Sequence, residues 1–186
     1  MIRPNPSGDQ PQISHSAFID PTAIICGKVI IEDNVFVGPY AVIRADEINA
    51  QGTMMPIRIG ANSNIQDGVV IHSVAGAEVS IGERCSIAHR SIIHGPCQIA
   101  NNVFVGFNSV VFRSFVGDNC VIRHNAVIDG IDIPANCHVP PLSRMENEED
   151  LSKLGNLSEP QKEFSKAVVA ANKYLSDGYQ KIYGEL

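Results

Sequence analysis

Three of the six histidines are spaced in a way that suits a metal ion. His72 and His94 each directly follow an isoleucine, Ile71 and Ile93, and His89 lies five residues before His94. Neutral imidazole nitrogens are common ligands of zinc, iron and cobalt, and such a metal can activate a water molecule. The remaining histidines, which we interpret as surface residues without a metal role, are His15, His124 and His138.

The element that must position these histidines is a repeat of six residues. Most positions four residues after an anchor are small or β-branched, and four of the five cysteines fall there. A short strand and a corner every six residues close into a triangular coil of three hexads, with positions i and i+4 inside and i+1 outside. The sequence therefore predicts an all-β solenoid, a parallel β-helix of about six coils. The nineteen Ile or Val anchors are Ile19, Ile25, Ile31, Val37, Ile43, Ile59, Ile65, Ile71, Ile81, Ile87, Ile93, Ile99, Val105, Val111, Val116, Ile122, Ile128, Ile133 and Val139.

The repeat places polar residues on one outer face. His72 and His94 both stand at i+1, three hexads apart, so they stack in successive coils. Arg44 stands one coil earlier if residues 48–58 form a loop outside the coil. Strands lie about 4.8 Å apart, whereas two nitrogens bound to one tetrahedral zinc lie about 3.4 Å apart, so modest convergence of the two rings suffices.

A second group of polar residues lies near the next corner. His89 and Asp67 share position i+2 in successive coils, and Gln66 precedes Asp67. The spacing leaves open whether His89 reaches the other two histidines within one chain or from a neighbouring chain. Packing one face against the other between protomers would bring both groups together.

The segments outside the repeat complete a single domain. We expect an extended N-terminal arm at 1–18, the β-helix at 19–141, a connector at 142–157 and a C-terminal helix at 158–186 packed on the outside. Ser158 and Gln161 form a plausible capping box at the start of this helix. Its apolar stripe consists of Phe164, Val168, Ala171, Leu175, Tyr179 and Ile182.

Composition disfavours nucleic-acid binding and membrane association. The 186 residues carry a net charge of −6, which disfavours nucleic-acid binding. The first twenty residues contain no apolar stretch suited to a signal peptide or a membrane span. Five cysteines without a CxxC pair fit reduced thiols, so we expect a cytoplasmic protein that does not bind membranes.

Five segments of the chain resemble the gamma-class carbonic anhydrases, and the resemblance extends to the end helix at 175–179. These segments are 44–47, 64–68, 70–72, 86–89 and 94–96. The resemblance implies a left-handed coil, which the periodicity alone does not fix. It also implies a homotrimer with three metal sites at the subunit interfaces. The implied activity is that of a lyase, the reversible hydration of carbon dioxide to bicarbonate and a proton by a metal-bound hydroxide.

The same resemblance assigns metal ligands. His72 and His94 come from one protomer and His89 from its neighbour. Zn²⁺ is the expected metal, with Fe²⁺ or Co²⁺ as alternatives.

The resemblance also gives roles to five polar residues around the metal. Gln66 would hydrogen-bond the hydroxide, and Asn172 would help to orient carbon dioxide. Arg44 would form interface ion pairs with Asp67 or Asp46.

One departure from the gamma-class pattern concerns proton transfer. The long acidic loop after the first metal histidine is missing, and Ala75 in the short stretch 73–78 stands where a glutamate shuttles protons. Glu47 is the candidate for an accessory shuttle.

Two alternative functions follow from the same residues: a hexapeptide-repeat acyltransferase with a single histidine base, and a non-catalytic metal-binding trimer that serves as a scaffold.

Overall fold

A computed structural model, which describes residues 1–184, shows three β-sheets wound into a triangular solenoid with one long helix outside. The strands are β1 (Ile2–Arg3), β2 (Gln12–Ile13), β3 (Phe18–Ile19), β4 (Ile24–Gly27), β5 (Val29–Ile31), β6 (Phe36–Val37), β7 (Val42–Ala45), β8 (Ile57–Ile59), β9 (Asn64–Ile65), β10 (Val70–His72), β11 (Val79–Ile81), β12 (Ser86–Ile87), β13 (Ile92–His94), β14 (Cys97–Ile99), β15 (Phe104–Val105), β16 (Val110–Phe112), β17 (Phe115–Val116), β18 (Val121–Ile122), β19 (Val127–Asp129), β20 (Cys137–Val139), β21 (Arg144–Met145) and β22 (Gly155–Asn156). A 3₁₀ helix spans Glu148–Lys153, and the long helix α1 spans Glu159–Gly184.

Each face of the prism is one sheet. Face A has the strand order β1-β4-β7-β10-β13-β16-β19-β21, face B has β17-β14-β11-β8-β5-β2, and face C has β22-β20-β18-β15-β12-β9-β6-β3. Neighbouring strands pair in parallel throughout, except that β22 is antiparallel to β20. The predicted parallel solenoid is therefore confirmed, with about seven coils.

The interior is filled by the hexad anchors. All of them are buried except Ile19 in the first coil, which is half-buried. On face A, for example, Ile43, Ile71 and Ile93 stack in register and are fully buried. Each such side chain contributes about 1.5–3 kcal/mol through burial, so the repeat itself supplies most of the driving force for folding.

The solenoid begins earlier than the periodicity indicates. β1 pairs with β4 and β2 pairs with β5, so residues 1–18, where the sequence predicts an extended arm, belong to the first coil of the solenoid. Ile13 packs against the core at this end. Pro4 and Pro6 interrupt the spacing of apolar residues here, which hides the repeat.

The solenoid also ends later than residue 141. β21 pairs with β19 and the fully buried Met145 extends the core, so the segment predicted as a connector contains the last strand of face A. Within the repeat, Ala75 departs from the inward position that the spacing predicts. It is exposed in a short loop between β10 and β11, while Ser73 and Val79 on either side are buried.

Helix α1 lies along face C, as its apolar stripe predicts. It contacts β3, β6, β9, β12 and β18. Val168 packs against the buried Phe104, and Tyr179 stacks on Phe18 with 5.2 Å between the ring centroids. The last two residues of the predicted helix, 185 and 186, lie outside the described residues. Among residues 1–184, no helix combines the length and the apolarity needed to cross a bilayer.

Candidate metal centre

The register of face A brings Arg44, His72 and His94 into one column. Arg44 on β7 is the lateral partner of His72 on β10, and His72 is the partner of His94 on β13. The loop between β7 and β8 and the loop between β10 and β11 both leave the coil without shifting this register. The three side chains therefore stack on the outside of successive coils, as the hexad count predicts.

The imidazole rings of His72 and His94 converge, so that one nitrogen of His72 lies close to one nitrogen of His94. His72 Nδ1 lies 3.3 Å from His94 Nε2, and the ring planes are inclined by 70°. Two nitrogens bound to one tetrahedral zinc with bonds of about 2.1 Å lie about 3.4 Å apart. The nitrogen pair thus has the separation that a shared zinc ion requires.

The outer nitrogens of both rings face hydrogen-bond acceptors. His72 Nε2 donates to Asp46 Oδ1 at 3.2 Å, and His94 Nδ1 donates to the Gly95 carbonyl oxygen at 3.1 Å. In the neutral rings this leaves both inner nitrogens without a proton, so two lone pairs face each other. Such an arrangement favours a cation between them, and acceptors on the outer nitrogens are typical of metal-binding histidines. The residues present therefore fit a divalent metal.

Asp46 connects this pair to Arg44. Its Oδ1 accepts from His72, and its Oδ2 lies 3.4 Å from Arg44 Nη1. Of the two partners considered for Arg44, Asp46 is the one within reach in a single chain. Glu47 is half-exposed, with Oε1 3.8 Å from His72 Nε2.

The second group of predicted residues lies at the corner between faces C and A. His89 is half-exposed, and its Nδ1 is 3.7 Å from Asp67 Oδ2. Both line a cleft of about 440 Å³ between the solenoid and α1, together with Gln66 and Asn172. The buried Gln66 donates from Nε2 to Asn64 Oδ1 at 2.9 Å, so its amide oxygen is the end left to accept a hydrogen bond. The side chain of Asn172 donates to the Val168 carbonyl oxygen at 2.9 Å.

The predicted ligands thus form two groups within one protomer. His72 and His94 converge, whereas His89 belongs to the cleft at the corner. In the part of the chain that the structure describes, no three His, Cys, Asp or Glu side chains form a group that could hold a metal. The three predicted histidine ligands are therefore not brought together within the described part of one chain.

Other residues of the site were not singled out from the sequence. Cys26 precedes Arg44 in the column on face A, and its Sγ lies 3.9 Å from Asp46 Oδ2. Burial raises the pKa of the Cys26 thiol. Phe112 follows His94 in the column, with ring centroids 5.3 Å apart. Both stand at i+1 of their hexads, so the repeat register could have found them.

Sequence comparisons agree with the repeat architecture. Residues 11–45 and 78–113 match the family described as bacterial transferase hexapeptide (six repeats). Residues 114–140 match the hexapeptide repeat of succinyl-transferase.

Three relatives carry different names. A carbonic anhydrase from Methanosarcina thermophila is 35% identical over 198 residues, covering 95% of this chain and 78% of that protein. The carboxysome assembly protein CcmM from Nostoc sp. is 36% identical over 178 residues, covering 90% of this chain but only 31% of the relative. The carnitine operon protein CaiE from Escherichia coli is 33% identical over 118 residues, covering 63% of this chain and 54% of that protein.

Solved structures share the whole fold. A hexapeptide transferase family protein from Anaplasma phagocytophilum aligns with a TM-score of 0.80 at 24% identity, over 96% of this chain and 98% of that one. A Bacillus cereus protein described as a candidate acetyltransferase aligns with a TM-score of 0.82 at 21% identity, over 98% of both chains. The chain belongs to the hexapeptide-repeat family of left-handed β-helix proteins.

Proposed function

We propose that this chain is a gamma-class carbonic anhydrase, which hydrates carbon dioxide reversibly at zinc sites shared between the protomers of a homotrimer. The observation that carries this proposal is the histidine pair. His72 and His94 present two nitrogens 3.3 Å apart, while Asp46 and the Gly95 carbonyl group hold the opposite nitrogens. The carbonic anhydrase relative, which matches most of both chains, supports the same reaction.

A partly exposed apolar stripe on face A supports a trimer. The stripe runs in register beside the histidine column, and Val70, Ile92 and Val127 in it are 36%, 41% and 37% exposed. The members of the stripe are Ile24, Val42, Val70, Ile92, Val110 and Val127. A contiguous apolar surface of this kind favours burial against another protomer. In such a trimer the neighbour's half-exposed His89 would complete the set of three ligands, with zinc as the proposed metal and Fe²⁺ or Co²⁺ as alternatives.

Zinc held by three neutral imidazoles lowers the pKa of water toward about 7, as it does in carbonic anhydrases generally, and so supplies hydroxide at neutral pH. The residues of the chain prepare this chemistry. Asp46 keeps the proton of His72 on Nε2, and the Gly95 carbonyl group keeps that of His94 on Nδ1, so both inner nitrogens are free to bind. Arg44 in turn fixes Asp46.

The cleft beside His89 provides the substrate side of the site. Its walls are mainly apolar, with Phe107 and Leu175 among them, which suits a small uncharged molecule such as carbon dioxide. Gln66 accepts a hydrogen bond from the attacking nucleophile through its amide oxygen, and Asn172 orients carbon dioxide from the helix side of the same cleft. Addition of the elements of water to carbon dioxide gives bicarbonate and one proton.

That proton must leave the site. Glu47 is half-exposed and close to His72, so we propose it as the shuttle to solvent. The loop at 73–78 is short, and its outermost residues, Val74, Ala75 and Gly76, carry no acid. We therefore expect proton transfer to limit turnover and small buffer bases such as imidazole to raise it.

The direct test is to measure metal content and carbon dioxide hydration together. The trimer is purified without oxygen and reconstituted separately with zinc, iron(II) and cobalt(II), alongside His89→Ala. The proposal predicts metal-dependent hydration and the loss of both metal and activity in His89→Ala. Stoichiometric metal with hydration at background would refute the reaction while keeping the site.

A second candidate function is a metal-binding scaffold without catalysis. The match to the carboxysome assembly protein covers 90% of this chain at 36% identity, and the acidic loop is absent. The hydration assay separates the two candidates. An acyltransferase has less support, because the transferase structures are under 25% identical and support the fold alone.

All five cysteines are free, and we propose a reducing compartment such as the cytoplasm.

A further inference from the structure

A column of rings runs along the corner that carries His89. His89, Phe107 and His124 occupy equivalent positions in three successive coils. Each ring-bearing residue is followed by one in the left-handed region, with φ of 62° at Arg90 and 55° at Asn108. Backbone hydrogen bonds lock the spacing of the coils, because Asn108 N–H donates to the His89 carbonyl oxygen at 3.1 Å. The corner geometry therefore sets the three rings one above another.

The rings contact each other in sequence. Phe107 and His124 are stacked, with 4.4 Å between the centroids and 16° between the planes. On its other side Phe107 faces His89 at 5.2 Å and 33°. The Phe107 ring is thus sandwiched between two imidazoles. Asp67, 3.7 Å from His89 Nδ1, bounds His89 on the side opposite Phe107.

His124 is itself fixed in the stack. The backbone N–H of Phe107 donates to His124 Nδ1 at 3.0 Å, so that nitrogen carries a lone pair and the ring is neutral. Burial, with Arg123 adding to it, lowers the pKa of His124, in agreement with this role as an acceptor. The close approach depends on Gly106, because a Cβ there would lie 2.9 Å from His124 Nδ1 and 2.7 Å from the Arg123 carbonyl carbon.

We propose that Phe107, supported by His124, is a positioning residue that holds the His89 ring ready for the metal of the neighbouring protomer. The inference rests on the proposed shared metal site. His89 is half-exposed at a corner, so without a neighbouring ring its side chain would sample several rotamers. Metal binding would then have to restrict it to one rotamer, and this loss of entropy would weaken the affinity. The stack imposes that restriction beforehand and so raises metal affinity. Phe107 does not need to touch the metal or the substrate for this role.

Zinc affinity of the trimer, measured by competition with a chromogenic chelator, tests the proposal. Phe107→Leu keeps an apolar side chain but removes the ring, and we expect it to weaken zinc binding about 10-fold, the lower end of the range for residues that orient metal ligands. Phe107→Tyr restores a ring and should bind within about two-fold of the wild type. Melting temperature and oligomeric state of the metal-free variants should match the wild type.

His89→Ala distinguishes failure of this inference from failure of the site itself. If His89→Ala weakens zinc binding and Phe107→Leu does not, the positioning role is wrong and the shared site stands. If neither variant changes the affinity, the shared site is wrong and this inference falls with it.

A second readout needs no metal. Proton–nitrogen NMR of the metal-free protein reports the imidazole resonances of His89, which lie within the ring current of Phe107. We expect the His89 resonances to shift in Phe107→Leu. In the wild type we expect His124 to be neutral, with its proton on Nε2. Unchanged His89 resonances would contradict the contact on which the proposal depends.

Discussion

Asp46 decides which nitrogen of His72 is free to bind a metal, and Asp46→Asn tests this directly. The carboxylate accepts from His72 through Oδ1 at 3.2 Å and faces Arg44 through Oδ2 at 3.4 Å. An asparagine amide has only one oxygen for these two donors. The charged guanidinium attracts that oxygen more strongly, so the amide NH₂ group would turn toward His72 Nε2. His72 would then carry its proton on Nδ1, the nitrogen that faces His94.

The expected loss follows from the energy of that tautomer change. Replacing a carboxylate that orients a metal-binding histidine costs about 10- to 100-fold in metal affinity, which corresponds to about 1.4–2.7 kcal/mol. This range agrees with the contribution of a hydrogen bond to a charged group, which is about 1.5–3 kcal/mol. Since Asp46 is only 16% exposed, solvent screening reduces the loss little.

Chelator competition on the trimer measures the zinc affinity, with Asp129→Asn as the matched control. Asp129 lies in the same column, half-exposed and 3.8 Å from Arg113, so its substitution removes the same charge without touching a histidine. In an Arg44→Gln, Asp46→Asn double variant the amide oxygen is free to face His72, and part of the affinity should return. The reasoning is refuted if Asp46→Asn stays within about two-fold of the wild type, or if it falls no further than Asp129→Asn.

Three further predictions concern other parts of the molecule. Gln66→Ala should lower kcat/KM for hydration about 10-fold, which corresponds to the free energy of one lost hydrogen bond, and should leave the zinc affinity unchanged. The control Gln98→Ala, at an exposed position, should keep the wild-type kcat/KM in the same stopped-flow hydration assay. Burial and a neighbouring arginine lower the pKa of His124, so its contribution to stability is complete above the unfolded pKa of about 6.5 and is lost as the pH falls below it. Urea unfolding between about pH 7 and 5 should show this loss, and a pH slope as steep in His124→Gln would contradict it. Burial raises the pKa of Cys85 to about 12, so this thiol should react with iodoacetamide only after the protein unfolds. The half-buried Cys137 should be modified first, and peptide mass mapping would show this order.

The parts of the fold that the sequence predicts are those governed by the six-residue period. An outward position three hexads from another must lie beside it in the next coil, and this rule places His72 over Arg44 and His94 over His72. The rule survives the loop at 73–78 because an insertion at a corner adds chain without rotating the strands. It fails at residues 1–18, where prolines interrupt the spacing of apolar residues although the backbone still pairs with the next coil.

The parts of the site that the sequence alone could not supply depend on side-chain rotamers and on contacts between distant segments. The strand spacing limits His72 and His94 to neighbouring positions, but the 3.3 Å between their nitrogens depends on how each ring turns toward its acceptor. Asn172 lies on a helix far along the chain, outside any repeat register. The family resemblance suggests a role for it with carbon dioxide, but only the folded chain places it in the same cleft as Gln66. The stack of Phe107 on His124 is in register, yet an exposed phenylalanine and a partly buried histidine at a corner carry no sequence pattern that separates them from ordinary surface residues.

The most direct test of the shared site is subunit mixing. His89→Ala and a His72→Ala, His94→Ala double variant are co-expressed in equal amounts, and the mixed trimers are assayed for zinc and carbon dioxide hydration. Each variant alone should lack both. A site in a mixed trimer is complete where a protomer that keeps His72 and His94 faces a neighbour that keeps His89, which is one site of the three. With random assembly, about one quarter of the wild-type zinc and activity should therefore return in the whole co-expressed pool. Mixed trimers that remain at the level of the separate variants would contradict a metal site built from two protomers.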